Sequence, residues 1–224
     1  MIRLTRPSAL TAVAWLALLL PLAVFAAPAS PLEPTLGRKG RLLLEETFAA
    51  NQVPAGWNKN TGELAIVDGA LRATELAREQ HLGAFRKALP LQDCVIQLDL
   101  KFDGATTFHL GFDPAPRELK KTGHLFSVVV TPTTWSLMEH VNKSDPKSKN
   151  VVHAKANAAF PRGQWVTLLL EVKGSAVLVH AAGMEPLRAS AADFKVKKPG
   201  LVFRVGGKDG QGVLIDNVKV WSLE

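Results

Sequence analysis

The sequence predicts an all-β protein, a two-sheet antiparallel jelly-roll sandwich, and three observations favour this fold class. Apolar and polar residues alternate with a period of two in many short segments, as in strands with one buried face. Glycine, proline, asparagine and aspartate separate these segments, a pattern that predicts about a dozen strands in a sandwich or barrel. Beyond an N-terminal apolar run, no segment of the 224 residues shows a convincing helical period.

The N-terminal run indicates export. Arg3 and Arg6 precede an apolar stretch from about Ala9 to Ala27, which ends in small residues of the kind that signal peptidase reads. We therefore predict a signal peptide over residues 1–26 and a periplasmic or secreted protein. An uncleaved membrane anchor is the alternative, although the run is barely ~18 residues long and Pro21 interrupts it.

The rest of the chain is expected to form one domain. Residues 27–41 are rich in proline, glycine and charge, which predicts a linker, and residues 42–224 suffice for one sizeable core. The one cysteine, Cys94, excludes an intrachain disulfide. It is in phase with apolar neighbours, so we interpret it as a small buried hydrophobic residue rather than a nucleophile.

Turn signals define the expected strands. An Asp68-Gly69 turn predicts a hairpin over residues 63–75 that pairs Ile66 with Leu71. A turn after Pro132 pairs Val130 with Trp135 in a second hairpin. A turn at Gly174-Ser175 predicts a third hairpin, in which residues 164–172 pair with residues 176–181 and Val172 faces Val177. The remaining expected strands span residues 42–48, 81–89 (ended by Pro90), 201–205 and 213–221.

Residues 94–113 hold the clearest alternation in the chain. Apolar side chains occupy even positions in the first half and again from Phe108 onward. A hairpin with a three-residue loop at residues 104–106 pairs Phe102 with Phe108 and Leu100 with Leu110. A one-residue slip would turn these side chains to water, which fixes this register. Each is worth ~1.5–3 kcal/mol when buried.

The polar face of that predicted hairpin is the first candidate site. The register sets Lys101 opposite His109 and places Asp99 and Asp113 on the same face. Lys101 and His109 could hydrogen-bond a sugar, or His109 could act as an acid or base near neutral pH. The two carboxylates could assist catalysis or bind a cation. The alternative is a set of solvated cross-strand pairs and salt bridges.

A second candidate is the polar stretch EHVNKSD at residues 139–145. It leads from a strand end into a loop, and loops held by a rigid sandwich often carry binding residues. The strand phase places His140 on the same side as Ser127, and Asn142 and Asp145 follow in the loop. A solvated loop tip is the alternative. Trp57 in a predicted loop could stack on a sugar, or it could pack in the core.

Other functional classes lack their usual patterns. The histidines are not spaced as in a zinc site, so neither a metal nor another cofactor is expected. A structural calcium with Asp216 as a ligand is conceivable, although the spacing does not require it. No phosphate-binding loop or Gly-x-Ser-x-Gly elbow occurs. The formal net charge is +7, but the basic clusters fall in predicted turns, and an exported protein is not expected to meet nucleic acid.

The order of several segments carries a family resemblance. The segments are EETF, VPAGW, VDGALRA, LDLKFDGA, GHLFSVVVTP, GQWVTLLLEVKG and IDNVKVW. Together they resemble the concanavalin A-like lectin/glucanase sandwiches, and within these the secreted bacterial domains related to the 3-keto-disaccharide hydrolase family. The resemblance spans nearly all of residues 42–222. It implies two stacked sheets, one of them concave, with sugars bound across the concave face.

Two departures argue against transferring catalytic residues. The Glu-x-Asp strand of laminarinase-type members is absent, and residues 108–112 read Phe-His-Leu-Gly-Phe where the 3-keto-disaccharide group usually shows an Asn-Ser-Gly-type strand. We therefore expect an exported, non-catalytic protein that binds carbohydrate or envelope polysaccharide, with no catalytic residue assigned. The alternatives are a glycan-active hydrolase that uses a set such as His109, Asp99 and His140, and an envelope protein-interaction module. The fold alone does not decide between them.

Overall fold

The computed structural model describes residues 31–224 as fifteen strands and two short 3-10 helices, Ala77–Glu79 and Ala192–Lys195. The predicted signal peptide at residues 1–26 lies outside the described residues. The strands are β1 Lys39–Glu46, β2 Trp57–Thr61, β3 Glu63–Val67, β4 Ala70–Thr74, β5 Gly83–Leu91, β6 Cys94–Asp103, β7 Thr107–Phe112, β8 Phe126–Val130, β9 Thr134–Glu139, β10 Val151–Asn157, β11 Val166–Lys173, β12 Ala176–Ala181, β13 Leu187–Ser190, β14 Lys198–Gly206 and β15 Gly212–Leu223.

The strands form two antiparallel sheets, as predicted. Sheet A has eight strands in the order β13-β12-β11-β6-β15-β4-β3, and β1 also pairs with β15. Sheet B has seven strands in the order β10-β9-β8-β7-β14-β5-β2. Because side chains alternate along a strand, each sheet has one face toward the core and one outer face. The outer faces are where polar side chains from distant strands can meet.

Aromatic side chains fill the space between the sheets. Phe203 is fully buried and packs against Phe108 at a ring-centroid distance of 5.5 Å and against Trp57 at 5.0 Å. Trp57 lies in β2 and is 7% exposed, so it belongs to the core rather than to a sugar-stacking loop. Trp135 is also buried in this core, as its strand phase predicted.

Three predicted hairpins are confirmed. In β3–β4, Ile66 pairs with Leu71 around the turn at Asp68 and Gly69, both of which have positive φ. Val130 pairs with Trp135 in β8–β9, and β11 pairs with β12 in the expected register. Each hairpin is local, because a tight turn connects its two strands and fixes their register.

The predicted hairpin over residues 94–113 is wrong. Strand β6 pairs with β11 and β15 in sheet A, whereas β7 pairs with β8 and β14 in sheet B. The chain at residues 104–106 therefore crosses from one sheet to the other. Phe102 and Phe108 both face the core, but from opposite sheets. Apolar and polar residues alternate with a period of two both in a hairpin and in two strands that face each other across a core, so the alternation does not distinguish the two arrangements.

Strand β5 also differs from its prediction at its C-terminal end. It continues through Pro90 to Leu91, although we expected Pro90 to end it. The register between β14 and β5 shifts between Lys198 and Gly200, next to this position. A proline is tolerated in a strand where an irregularity removes the need for its missing N–H.

The predicted linker at residues 27–41 is replaced in part by ordered structure. Strand β1 begins at Lys39, three residues before the predicted domain boundary. The preceding residues, which we call the N-terminal strap (residues 31–38), lie on the outer face of sheet A. Leu32 and Leu36 of the strap pack against a small apolar cluster that includes Leu169. Composition does not predict that the strap is ordered, because backbone N–H groups hold it in place and nearly every residue has one.

Candidate functional site

Polar side chains concentrate on the outer face of sheet B. In β7 the phenylalanines face the core, so His109 faces outward and Asp113 follows just beyond the strand end. In β14 the neighbours of Arg204 face the core, and Arg204 pairs across the sheet with His109. Gly111 adds to this face by lacking a side chain. A Cβ at Gly111 would lie 2.2 Å from Ser127 Oγ, so only glycine leaves room for Ser127.

An ionic chain runs across this face from β5 to the loop before β8. Arg86 Nε donates to Asp113 Oδ2 at 2.8 Å, and His124 Nδ1 donates to Asp113 Oδ1 at 2.6 Å. Arg86 also donates to Asn60 Oδ1. Burial by itself raises the pKa of Asp113, but the hydrogen bonds and charges of His124 and Arg86 outweigh it and hold that pKa below its usual range. Asp113 is therefore ionised at neutral pH.

Two buried histidines lie beside this chain. His140 Nε2 and Ser127 Oγ share a hydrogen bond of 2.8 Å, and the rings of His140 and His109 stack with centroids 6.3 Å apart. Burial, assisted by the positive charges of Arg204 and His124, lowers the pKa of both histidines to about 3. Both rings are therefore neutral at pH 7 and belong to the packed floor of the face.

Three connected cavities open above this floor. The main cleft has a volume of about 540 Å³, and the side cleft of about 310 Å³ shares Asn60, Arg86 and Asp113 with it. A smaller cavity of about 160 Å³, the basic pocket, contains Arg204 and shares Lys143 with the main cleft. The Arg86–Asp113 ion pair therefore separates two clefts of one groove, and the basic pocket adjoins the main cleft.

Four of the eight predicted site residues come together here. His109, Asp113, Ser127 and His140 all lie on the outer face of sheet B, and the predicted proximity of His140 to Ser127 is confirmed. The sequence signal that found them was strand phase, which assigns a side chain to a face.

Asp99 and Lys101 lie elsewhere, and their predicted pairing with the face of His109 is wrong. Both belong to β6 in sheet A, whose outer face is on the opposite side of the sandwich. Asp99 accepts hydrogen bonds from Thr167 Oγ1 at 2.6 Å and Asn217 Nδ2 at 2.8 Å, and Lys101 Nζ lies over the Trp165 ring at 4.7 Å. The sheet change between β6 and β7 is the physical reason for this separation.

Asn142 and Asp145 stabilise the loop before β10. Asn142 Oδ1 accepts from the backbone N–H groups of Thr122 and Ser144, and Asp145 Oδ1 accepts from that of Lys147. Both carboxyl and amide groups therefore hold the loop, while Lys143 between them lines the main cleft. Of these three loop residues, only Lys143 lines the main cleft, and Asn142 and Asp145 do not.

The sequence reading missed Arg86, His124 and Arg204. Arg204 interrupts the apolar run LVFRV, and a charged residue in a strand of a buried sheet is a usable signal. Arg86 gives a weaker signal, because a second charged residue, Lys87, follows it in β5. The proximity of these side chains could not be predicted, because β5, β7 and β14 are distant in sequence and become adjacent only in the folded sheet.

No group of three or more histidine, cysteine, aspartate or glutamate side chains within residues 31–224 is arranged to hold a metal ion. In the same part of the chain, no helix is both long and apolar enough to cross a membrane.

Cys94 is expected to be unreactive in the folded protein. It is fully buried in the core, and burial raises the pKa of its thiol to about 12 despite the nearby Lys198. Iodoacetamide at pH 8 should leave the native protein unlabelled and label it fully in denaturant, as read by mass spectrometry. Because the chain has one cysteine, the signal has no background. Rapid native labelling would contradict a buried thiol.

The comparisons with known proteins show a shared fold. No family model and no curated protein matches the sequence. Among solved structures, a GH16 non-specific endo-β-1,3(4)-glucanase, SCLam E144S, matches with TM-score 0.63 and 16% identity over 87% of this chain and 100% of that one. A carbohydrate binding module, CBM66 from Bacillus subtilis, matches with TM-score 0.59 and 13% identity over 75% and 96%.

A third similar structure is the exoplasmic/lumenal domain of VIP36 in a form bound to Ca²⁺ and Man3GlcNAc, with TM-score 0.54 and 12% identity over 80% of this chain and 88% of that one. At these identities the likeness establishes architecture and not chemistry. The chain is an all-β, two-sheet antiparallel sandwich with the concanavalin A-like fold that carbohydrate-binding modules, lectins and glucanases share.

Proposed function

We propose that this chain is an exported, non-catalytic carbohydrate-binding protein whose ligand lies in the groove on the outer face of sheet B. The observation that carries the proposal is the convergence of Arg86, Asp113, His124 and Asn60 around two connected clefts. Export rests on the predicted signal peptide. The fold supports the ligand class, because two of the similar structures are a carbohydrate binding module and a lumenal domain bound to Man3GlcNAc.

The groove offers what a sugar hydroxyl needs. A hydroxyl both donates and accepts, so it binds best where fixed donors and acceptors are adjacent. Arg86 and His124 are donors that Asp113 holds in place, and Asp113 and Asn60 offer acceptor atoms. Ala84 of the main cleft and Ala88 and Val202 of the side cleft add apolar surface for the faces of sugar rings. Two clefts divided by one ion pair suit an oligosaccharide.

Charge and position favour binding over hydrolysis. A glycosidase needs two carboxyl groups at ~5–10 Å, one of which is protonated. Among residues 31–224, Asp113 is the carboxylate that lines the two clefts, and its lowered pKa keeps it ionised. Its two oxygens accept from Arg86 and His124, so it is not the protonated carboxyl that a glycosidase needs as its general acid.

One observation favours a second candidate, a hydrolase related to the 3-keto-disaccharide hydrolases. His124 lines the main cleft and donates to Asp113 at 2.6 Å, which is the arrangement that orients a histidine as a general base. In that case His124 would remove a proton from water or substrate, and Asp113 would stabilise the resulting imidazolium.

The test is a glycan array followed by product analysis of the retained glycans. We expect retention without turnover, and a loss of retention of at least ~10-fold in Arg86→Ala, because a charge-assisted hydrogen bond contributes about 1.5–3 kcal/mol. The matched control is Lys101→Gln, which removes a cation from the other face. Product release abolished by His124→Gln would replace the proposal with the hydrolase. Absence of any retention would overturn carbohydrate binding itself.

A further inference from the structure

The cations of the groove exceed the carboxylates that face them. Arg86 pairs with Asp113 at 2.8 Å, and Lys121 pairs with Glu139 at 3.2 Å. Arg204 and Lys143, which both line the basic pocket, have no ion pair among the described residues. The basic pocket is therefore surrounded by uncompensated positive charge, with His81 and His124 as its neighbouring imidazoles.

Arg204 shows the imbalance most directly. It lies in β14, in the middle of sheet B, between His109 of β7 and Ala84 of β5. Its Nε is buried and has no hydrogen-bond partner within residues 31–224. A buried guanidinium donor without an acceptor is costly. Arg204 as a whole is only half-buried and lines the basic pocket, so an anion there could bind its accessible part and balance its charge.

The surroundings of Arg204 strengthen the electrostatic argument. Burial and the positive charge of Arg86 lower the pKa of Arg204, while the smaller effect of the Asp113 charge opposes them. The guanidinium thus lies in a region of positive potential. Such a region favours any ligand that brings a negative charge.

We propose that the basic pocket binds the acidic group of a charged sugar, a carboxylate or a sulfate ester, whose ring lies in the main cleft. This inference rests on the proposed carbohydrate binding and specifies its ligand class. The pocket has a volume of about 160 Å³ and opens beside the main cleft through shared His81, His124 and Lys143. Guanidinium groups match both carboxylate and sulfate oxygens in a forked geometry, and Lys143 adds a mobile point charge.

A neutral sugar satisfies this pocket less well. A hydroxyl could accept the Arg204 N–H, but it would leave the excess charge of Arg204 and Lys143 unbalanced. An acidic group would accept the Arg204 N–H and also balance this charge. The side cleft beyond the Arg86–Asp113 pair then accommodates the next sugar of the chain, away from the basic pocket.

The experiment is calorimetric titration of the purified protein with three oligosaccharides of equal length: an oligogalacturonate, a sulfated galactan fragment and a neutral gluco-oligosaccharide. We expect at least one acidic oligosaccharide to bind at least ~10-fold more tightly than the neutral one, with an affinity that falls as salt increases. Preference between the two acidic ligands identifies carboxylate or sulfate as the source of the charge.

Two variants test whether the acidic group of the sugar lies in the basic pocket. Arg204→Gln should weaken acidic-sugar binding by about 10- to 100-fold, and Lys143→Gln, in an exposed loop, by a smaller factor of about 3 to 5. Neutral-sugar affinity should fall by a smaller factor than acidic-sugar affinity in Lys143→Gln, because the lost charge faces the acidic group. The matched control is Arg188→Gln, an exposed arginine of β13 in sheet A, which should leave both affinities unchanged.

Two results would overturn the inference, and they differ from failure of the proposed function. Equal affinity for acidic and neutral oligosaccharides would retain carbohydrate binding and reject the acidic class. Equal loss of affinity in Arg188→Gln and Lys143→Gln would reject the pocket and indicate general charge attraction. If none of the three oligosaccharides binds, both the function and the inference fail.

Discussion

The free energy of unfolding is expected to fall steeply as the pH is lowered from 6.5 towards 3, because His109 and His140 are buried as neutral rings. Burial, with Arg204 and His124 as the main facing charges, lowers both pKa values to about 3. Lys121 adds to the effect on His140. In the unfolded chain each histidine takes up a proton below pH 6.5, whereas in the folded protein it does not. Acid therefore favours unfolding across this window.

The expected loss of unfolding free energy follows from the number of protons that the unfolded chain binds and the folded protein does not. Each histidine contributes up to ~1.4 kcal/mol per pH unit, so the pair contributes up to ~5 kcal/mol between pH 6.5 and 4.5. Asp113 affects the free energy of unfolding in a different pH range. Its lowered pKa provides stability above the ordinary value of 3.8 that is lost as the pH falls through its folded pKa. Measurements above pH 4.5 therefore isolate the histidines.

Urea unfolding at several pH values between 4.5 and 7.5 measures the slope. The double variant His109→Gln with His140→Gln should show a much shallower dependence on pH, even where its stability at pH 7.5 is reduced by the change in packing. His81→Gln is the control, because it removes one exposed histidine and leaves both buried rings in place. A double variant with the original slope would show that these two rings do not govern the acid response.

Replacing Glu171 by leucine is expected to destabilise the protein by ~3–5 kcal/mol and to release the N-terminal strap. The Glu171 side chain is fully buried in β11. Its Oε2 accepts the backbone N–H groups of Thr35 at 2.8 Å and Leu36 at 2.6 Å, and its Oε1 accepts from His180 Nε2 at 2.8 Å. The apolar substitution would leave all three donors without this acceptor, and an unmade buried hydrogen bond costs more than a made one contributes.

Two measurements check this result. Urea unfolding gives the loss of stability, and limited trypsin digestion should show new cleavage at Arg38 or Lys39 in Glu171→Leu. The control is Glu45→Gln, which breaks an exposed ion pair with Lys219 and should cost less than ~1 kcal/mol. If the two variants unfold at the same urea concentration and resist trypsin equally, Glu171 does not hold the strap.

The strap also explains why part of sheet A is shielded from solvent on its outer face. Val95, Leu169 and Leu223 form a small cluster there, separate from the main core, and Leu32 and Leu36 cover it. Cleavage after Ala26, as the signal-peptide prediction places it, would keep these covering residues. The strap was invisible to sequence reasoning because its proline and glycine content is typical of a linker, while its anchor is one glutamate 135 residues away.

The local structure of this protein follows from its residue pattern alone. Alternation with a period of two defined the strands and their buried faces, and turn residues fixed the hairpins at Asp68-Gly69 and around Pro132. The same phase placed Ser127 and His140 side by side, where they share a hydrogen bond. These features depend on neighbours within a few residues, and local backbone geometry is what a pattern of side chains encodes.

Which strands share a sheet depends on packing between distant parts of the chain, and the candidate site depends on that pairing. Residues 94–103 and 107–112 read as hairpin partners, yet they lie in opposite sheets, so Lys101 and His109 face opposite sides of the sandwich. Arg86, Asp113 and Arg204 meet because β5, β14 and β7 are adjacent in sheet B. Pairing between distant strands is decided by how the whole core packs, and a period of two is identical whichever partner a strand finds.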